Sequence, residues 1–168
     1  MELIDVYDNN GNKTGKVVDI KTPDSEFAPD EHVGVAIIYI ENDNNEFLLQ
    51  KTSKQKGGLY SSTGGHISHG EEPLDTIKRE VQEELGLDIS QDNIISLGHV
   101  VYDFPVRFIY YLKKNVDINK LNLQEEEVES VKYMTINEIK EIIKKGLMHK
   151  AHAKVLETLL AYKERSGE

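Results

Sequence analysis

Residues 65–87 read Gly65-His-Ile-Ser-His-Gly-Glu-Glu-Pro-Leu-Asp-Thr-Ile-Lys-Arg-Glu-Val-Gln-Glu-Glu-Leu-Gly-Leu87. Leu74, Ile77, Val81 and Leu85 recur at three- and four-residue steps, which predicts an amphipathic helix. Pro73 stands at its start, where a missing N–H does little harm, and Gly86 is placed to end it as a C-cap. Glu80, Glu83 and Glu84 lie at i, i+3 and i+4, so they share one helix face beside the apolar stripe. Three carboxylates so spaced repel one another. They weaken a helix unless they are protonated or bridged by a hard cation such as Mg²⁺ or Mn²⁺. Gly64-Gly65 just ahead allows unusual backbone angles and close approach of a ligand, and can offer a carbonyl oxygen to the same ion. A cation held by few carboxylates, with water and substrate phosphate filling its remaining positions, suits phosphoanhydride chemistry. A second ion, or a glutamate acting as base, can activate the attacking water.

The charge of the whole chain is distributed in keeping with this. Among 168 residues, 30 Asp and Glu face 20 Lys and Arg, for a net charge of −10. Residues 65–87 carry a net −4 and residues 121–131, which include Glu125, Glu126, Glu127 and Glu129, another −4. These two short segments hold most of the excess, and clustered like charge calls for a neutralising partner. The acidity argues against non-specific nucleic-acid or anionic-membrane binding. The absence of Cys removes disulfides, thiolate metal sites and a cysteine nucleophile. No apolar run approaches the ~18 residues of a membrane span, and Met1-Glu-Leu-Ile-Asp5 lacks a signal-peptide pattern. A cytoplasmic protein is the resulting expectation.

Working outward, residues 2–7 and 14–20 read as a hairpin around Asp8-Asn9-Asn10-Gly11. Val33–Ile40 is a near-continuous apolar run, the pattern of a central strand. Asn42–Asn45 is expected to turn it back into Glu46–Lys51 as a second hairpin. Lys54–Gly65 reads as loop. Ile94–Tyr102, Val106–Leu112 and Val128–Met134 read as strands, Thr135–Lys145 as a helix with a Thr135/Glu138 capping box, and His149–Lys163 as a last helix. The expectation is one domain over residues 1–168, a mixed β-sheet flanked by helices in the α/β class, with residues 1–31 as an N-terminal hairpin extension.

The stretch 65–87 resembles the Nudix box, G-x5-E-x7-R-E-U-x-E-E-x-G-U with U aliphatic. Gly65, Glu71, Arg79, Glu80, Val81, Glu83, Glu84, Gly86 and Leu87 fill all nine constrained positions. The resemblance implies the Nudix α/β/α sandwich and a divalent-metal-dependent pyrophosphohydrolase using Mg²⁺ or Mn²⁺. It implies that Glu80, Glu83 and Glu84 bind the cation, with the Gly65 carbonyl as a further ligand. Glu80 and Glu84 are the foremost ligands, and Glu83 shares that role or assists the base. The general base lies within the box or in a later loop, where Glu127 is the preferred candidate. Arg79 is expected to pair with Glu71 as a structural ion pair.

Other residues divide between chemistry and packing. His66 follows Gly65 directly and is a candidate for substrate contact. Lys51, Lys54 and Lys56 precede the metal loop in a stretch free of acid from Glu46 to Glu71, and one of them is expected to meet a polyphosphate. Tyr60, Tyr102 and Phe104 are possible stacking partners for a base, with core packing favoured. His149 and His152 read as surface residues of the last helix. The N-terminal segment, Glu31-His32-Val33 and Phe47–Lys51 look like the branch related to isopentenyl diphosphate isomerase. In that isomerase, histidines at the positions of His32 and His66 hold a metal and a catalytic Cys precedes the second. Here Gly64 stands at the cysteine's place. A hydrolase of a nucleoside diphosphate linked to another moiety, or of a related organic diphosphate, is therefore expected. Isomerase-like chemistry and a non-catalytic nucleotide-sensing domain are the alternatives. The expected partner is a small-molecule diphosphate, and the chain is expected to be a monomer or homodimer.

Overall fold

A computed structural model describes residues 1–167. Strands β1 (Leu3–Tyr7) and β2 (Lys13–Asp19) form the first hairpin. Its turn is held by Asp8, whose Oδ1 accepts from the N–H groups of Asn10 and Asn12. Strand β3 (His32–Glu41) runs through the centre, parallel to β8 (Val106–Lys113) and antiparallel to β6 (Thr63–His66). Strand β7 (Ile95–Val101) pairs with β8 on its far side. Strand β4 (Glu46–Thr52) lies antiparallel to both β9 (Val128–Thr135) and β5 (Tyr60–Ser61).

The alternation along β3 explains why its sequence is apolar at nearly every position. Ala36, Ile38 and Ile40 pack on one face with Ile77, Val81 and Leu85 of helix α1 (Pro73–Leu85). Val35, Ile37 and Tyr39 pack on the other. There they meet Ile139 of α2 (Ile136–Lys144) and Val155, Leu156 and Leu159 of α3 (Lys150–Ser166). A strand covered on both faces has no polar side, so the period-2 signal vanishes. Each fully buried Ile, Leu or Val contributes about 1.5–3 kcal/mol. The result is an α/β/α sandwich around a mixed sheet. No helix among the described residues is long and apolar enough to cross a membrane.

Two expectations need correction. The Asn42–Asn45 turn exists, with Asn42 Oδ1 accepting from the N–H groups of Asn44 and Glu46, but β3 and β4 share only the pair Glu41–Phe47 before they diverge. The edges of β3 are taken by β8 and β6, so the hairpin splays. The segment Lys54–Gly65 is not all loop, because it contains β5 and β6. Strand β6 was hidden by its glycines, which are there for fit: a Cβ at Gly64 would run into the carbonyl oxygen of Ala36.

Candidate active site

Helix α1 lies against β3 and β6 through its apolar stripe, and this fixes where its carboxylates point. Val81 and Leu85 are fully buried, and Glu84 beside them is only 7% exposed. Glu80 is half-buried and Glu83 exposed. Gly65 on β6 sits directly under Glu80, so close that a Cβ there would stand 2.5 Å from Glu80 Oε1. Gly86 caps α1 in the left-handed region at φ 66°, its N–H donating to Gln82 O.

Arg79 organises the acids around it. Its Nε donates to Glu71 Oε2 at 2.7 Å and its Nη2 to Glu71 Oε1 at 2.9 Å, a fork-to-fork pair. Its Nη1 reaches Glu80 Oε1 at 2.9 Å and Glu83 Oε2 at 3.2 Å. Glu71 also accepts from Ser68 N–H and the Thr76 hydroxyl, which anchors the loop before α1. These bonds, the Arg79 bond foremost, hold the Glu71 carboxyl down to about 2.

Glu84 is in the opposite situation. Gln50 Nε2 donates to its Oε1 at 3.4 Å, while Oε2 is buried without a hydrogen-bond partner. Burial, followed by the charge of Glu80, pushes its carboxyl up to about 8. Glu80 is also raised, chiefly by burial, despite its contact with Arg79. A cavity of about 430 Å³ opens over these residues, lined by Gly65, His66, Glu80, Glu83, Glu84 and Glu127, with Lys56 at its side. Glu127 reaches it from the loop before β9 and pairs with Lys56 Nζ at 3.3 Å.

The donor set suits a hard divalent cation. It is all oxygen, and it includes a buried carboxylate oxygen with no partner. Among the described residues no three His, Asp or Glu side chains converge closely enough to hold an ion as they stand. Arg79 instead engages one oxygen each of Glu80 and Glu83.

The family model described as the NUDIX domain matches residues 30–159. The chain belongs to the Nudix family. An uncharacterized Nudix hydrolase of Listeria monocytogenes is 30% identical over 152 residues, covering 87% of each chain. A crystal structure of DR0079 from Deinococcus radiodurans superposes with a TM-score of 0.73 at 16% identity, covering 89% of this chain and 93% of that one. The NUDIX domain of Shewanella oneidensis NrtR, crystallised with ADP ribose, does so with a TM-score of 0.63 at 16% identity, covering 82% of this chain and 94% of that one. This Nudix chain is thus a hydrolase by family, a pyrophosphohydrolase acting on acid anhydrides of phosphorus.

The Nudix site gathers Gly65, His66, Glu71, Arg79, Glu80, Glu83, Glu84 and Glu127. It does not gather Lys51 or Lys54. Lys51 Nζ pairs with Glu129 at 3.4 Å and Lys54 is exposed on a short 3₁₀ turn, so Lys56 is the lysine at the cavity. His32 has both ring nitrogens engaged, Nδ1 with Phe104 O at 2.8 Å and Nε2 with Asn9 Oδ1 at 2.5 Å. His149 is exposed as expected, whereas His152 is half-buried, its Nδ1 2.7 Å from the Oγ of buried Ser62. Sequence reasoning missed Arg107, a buried cation inside an apolar strand. The interrupted run Val106-Arg107-Phe108 was the only signal for it.

Proposed function

We propose that this Nudix hydrolase uses Mg²⁺ or Mn²⁺ to cleave a phosphoanhydride bond in a nucleoside diphosphate linked to another moiety, or in a related organic diphosphate. The observation that carries this is Glu84, a buried carboxylate with one oxygen lacking any partner. A carboxylate in that state is stabilised by a cation or a proton, and the neighbouring glutamates favour the cation. Glu80, Glu83, Glu84 and the Gly65 carbonyl are the residues that would hold it. When bound, the ion neutralises phosphate oxygens and lowers the pKa of water.

The chain's own residues do the rest. Glu83 or Glu127 takes the proton from the attacking water, both lying on the cavity wall. Glu71 and Arg79 fix the loop and the orientation of α1. Lys56, at the side of the cavity, supplies a cationic contact to the phosphates, and His66 on the wall it shares with the neighbouring cavity is a second contact; Lys51 and Lys54 lie outside this cavity. The ADP ribose bound by the Shewanella domain is a nucleoside diphosphate linked to a sugar, the substrate class proposed here. Glu80, Glu83 and Glu84 of the box all line the cavity, which favours turnover over ligand sensing.

The test is a screen of nucleoside diphosphate sugars, dinucleoside polyphosphates, nucleoside triphosphates and prenyl diphosphates with Mg²⁺ or Mn²⁺, reading both phosphate and pyrophosphate. Turnover should require the ion and fall on the order of a hundredfold or more in Glu83→Gln and Glu84→Gln. Undiminished hydrolysis in chelator, or in both variants, would overturn the proposal.

A further inference from the structure

Back to back with the carboxylate cavity lies a second one of about 260 Å³, and its chemistry is opposite. Its polar lining is His66, Arg107, His149 and His152, with no acid. Gly64, Gly65 and His66 line both cavities, so β6 is their common wall. The pleat explains the division. Gly65 is in register with Ala36, which faces α1, while His66 is in register with Val35, which faces α3. Val35 is in turn level with Arg107 of β8. One residue step along β6 therefore moves from the acidic side of the sheet to the basic side, and among the described residues β6 pairs with β3 alone.

Arg107 is the centre of this basin. It is 8% exposed, and its Nε is buried without a hydrogen-bond partner. Nη2 donates to Tyr102 O at 3.3 Å, and the guanidinium stacks 5.6 Å from the Tyr102 ring centroid. Among the described residues no carboxylate lies within 4 Å of it. Burying a guanidinium without a carboxylate partner is costly; the nearby acid Asp103 acts on Arg107 through space without forming an ion pair with it. The first turn of α3, a 17-residue helix, ends beside it, with His149 and Ala151 lining an adjoining cavity. His149 Nδ1 accepts from Ala151 N–H at 3.3 Å, so in the neutral ring the proton sits on Nε2, which becomes a donor. The His152 ring stands T-shaped to it at 5.2 Å.

We propose that Arg107, His149 and His152 form an oxyanion subsite that binds a second anionic group of the substrate, a phosphate or a carboxylate, on the part remote from the scissile anhydride. This rests on the reading of the carboxylate cavity as a diphosphate site and narrows its substrate class. A diphosphate held on the Gly65 side passes over the open edge of β6, and its far end reaches Arg107.

Two experiments test this separately from the hydrolase assignment. In the first, inorganic phosphate is titrated into the metal-free protein in chelator, so that the glutamates have no cation with which to bind it. NMR follows the Arg107 Nε–H and the ring signals of His149 and His152. Saturable shifts at these residues, lost in Arg107→Met and retained more weakly in Arg107→Lys, are expected. No saturable shift at tens of millimolar phosphate, or shifts that survive in a folded Arg107→Met protein, would overturn the subsite.

The second experiment compares matched substrates within one enzyme preparation. UDP-glucuronate against UDP-glucose differs by a carboxylate, and NADP⁺ against NAD⁺ by a phosphate. The anion-bearing member of at least one pair should have a kcat/KM at least tenfold higher, through KM, and the responding pair identifies the source of the oxyanion. Arg107→Met should collapse that ratio. Equal rates within both pairs, or a ratio untouched by the variant, count against the subsite. Phosphate binding at Arg107 with no hydrolysis of any diphosphate would support the subsite and overturn the hydrolase reading instead.

Discussion

Replacing Glu84 by Gln should make the metal-free protein more stable at alkaline pH while abolishing its response to the cation. The Glu84 carboxyl is pushed up to about 8 from an ordinary 4.5, by burial first and by Glu80 second. An acid raised in the folded state binds more protons folded than unfolded between those two values. Its stabilising effect is therefore complete below about pH 4.5 and is lost as pH rises to about 8. At about 1.4 kcal/mol per pH unit, the penalty above pH 8 has an upper bound of about 5 kcal/mol. Side-chain movement and water entry relieve part of it, leaving about 2 kcal/mol as the working figure. For a domain of this size that is roughly 4–8 °C in Tm. Thermal unfolding in chelator should give nearly equal midpoints for both proteins near pH 4.5, and a higher midpoint for Glu84→Gln near pH 8.5. Added Mg²⁺ should raise the wild-type midpoint and leave the variant's unchanged. Identical midpoints near pH 8.5 would refute the reasoning, because they would mean that no uncompensated charge is buried at Glu84.

Gly65→Ala places a methyl group against the end of the Glu80 side chain, which can swing aside; unfolding should shift by less than about 1 kcal/mol while calorimetric Mg²⁺ affinity falls at least tenfold. Glu71→Gln breaks the fork with Arg79 and should destabilise by about 1.5–3 kcal/mol in urea at neutral pH. Because the Glu71 carboxyl is held down to about 2, that deficit should shrink as pH falls from about 4.5 toward 2; a constant deficit would contradict the ion pair. Lys163→Met removes the cation that meets Oε1 of the fully buried Glu41 at 2.6 Å, leaving the Tyr111 hydroxyl as a neutral donor, and should cost about 3–5 kcal/mol. Adding Glu41→Gln should recover part of that loss in the same denaturation assay.

What the sequence made legible was local in origin. Helix α1 runs from Pro73 to Leu85 and is capped by Gly86, as the spacing of Leu74, Ile77, Val81 and Leu85 implies. The Thr135/Glu138 capping box is formed in both directions. Both features depend on residues three or four apart, so the sequence carries their geometry. Strand β6 and the divergence of β3 from β4 were not legible, because both depend on which strand wins an edge of β3. The Asn42–Asn45 turn is compatible with a full hairpin, and only the competition from β8 and β6 decides against it. Arg107 was hidden for the same reason. Its neighbours His66, His149 and His152 come from β6 and from the start of α3, and only strand register and helix docking assemble them.

The net charge of −10 illustrates how little a count says until partners are assigned. The acidic segment 121–131 looked like a second unneutralised cluster, yet Glu127 pairs with Lys56 and Glu129 with Lys51. Within residues 65–87, Arg79 contacts Glu71, Glu80 and Glu83, Lys13 reaches Glu72, and Asp75 is exposed. Glu84 alone of those six acids has neither solvent nor a cation. The exposed lysine pairs among these contribute little to stability, unlike the Arg79–Glu71 fork. The uncompensated part reduces to one buried carboxylate, Glu84, and its neighbour Glu80, whose carboxyls burial raises, which is too few charges to register in the composition.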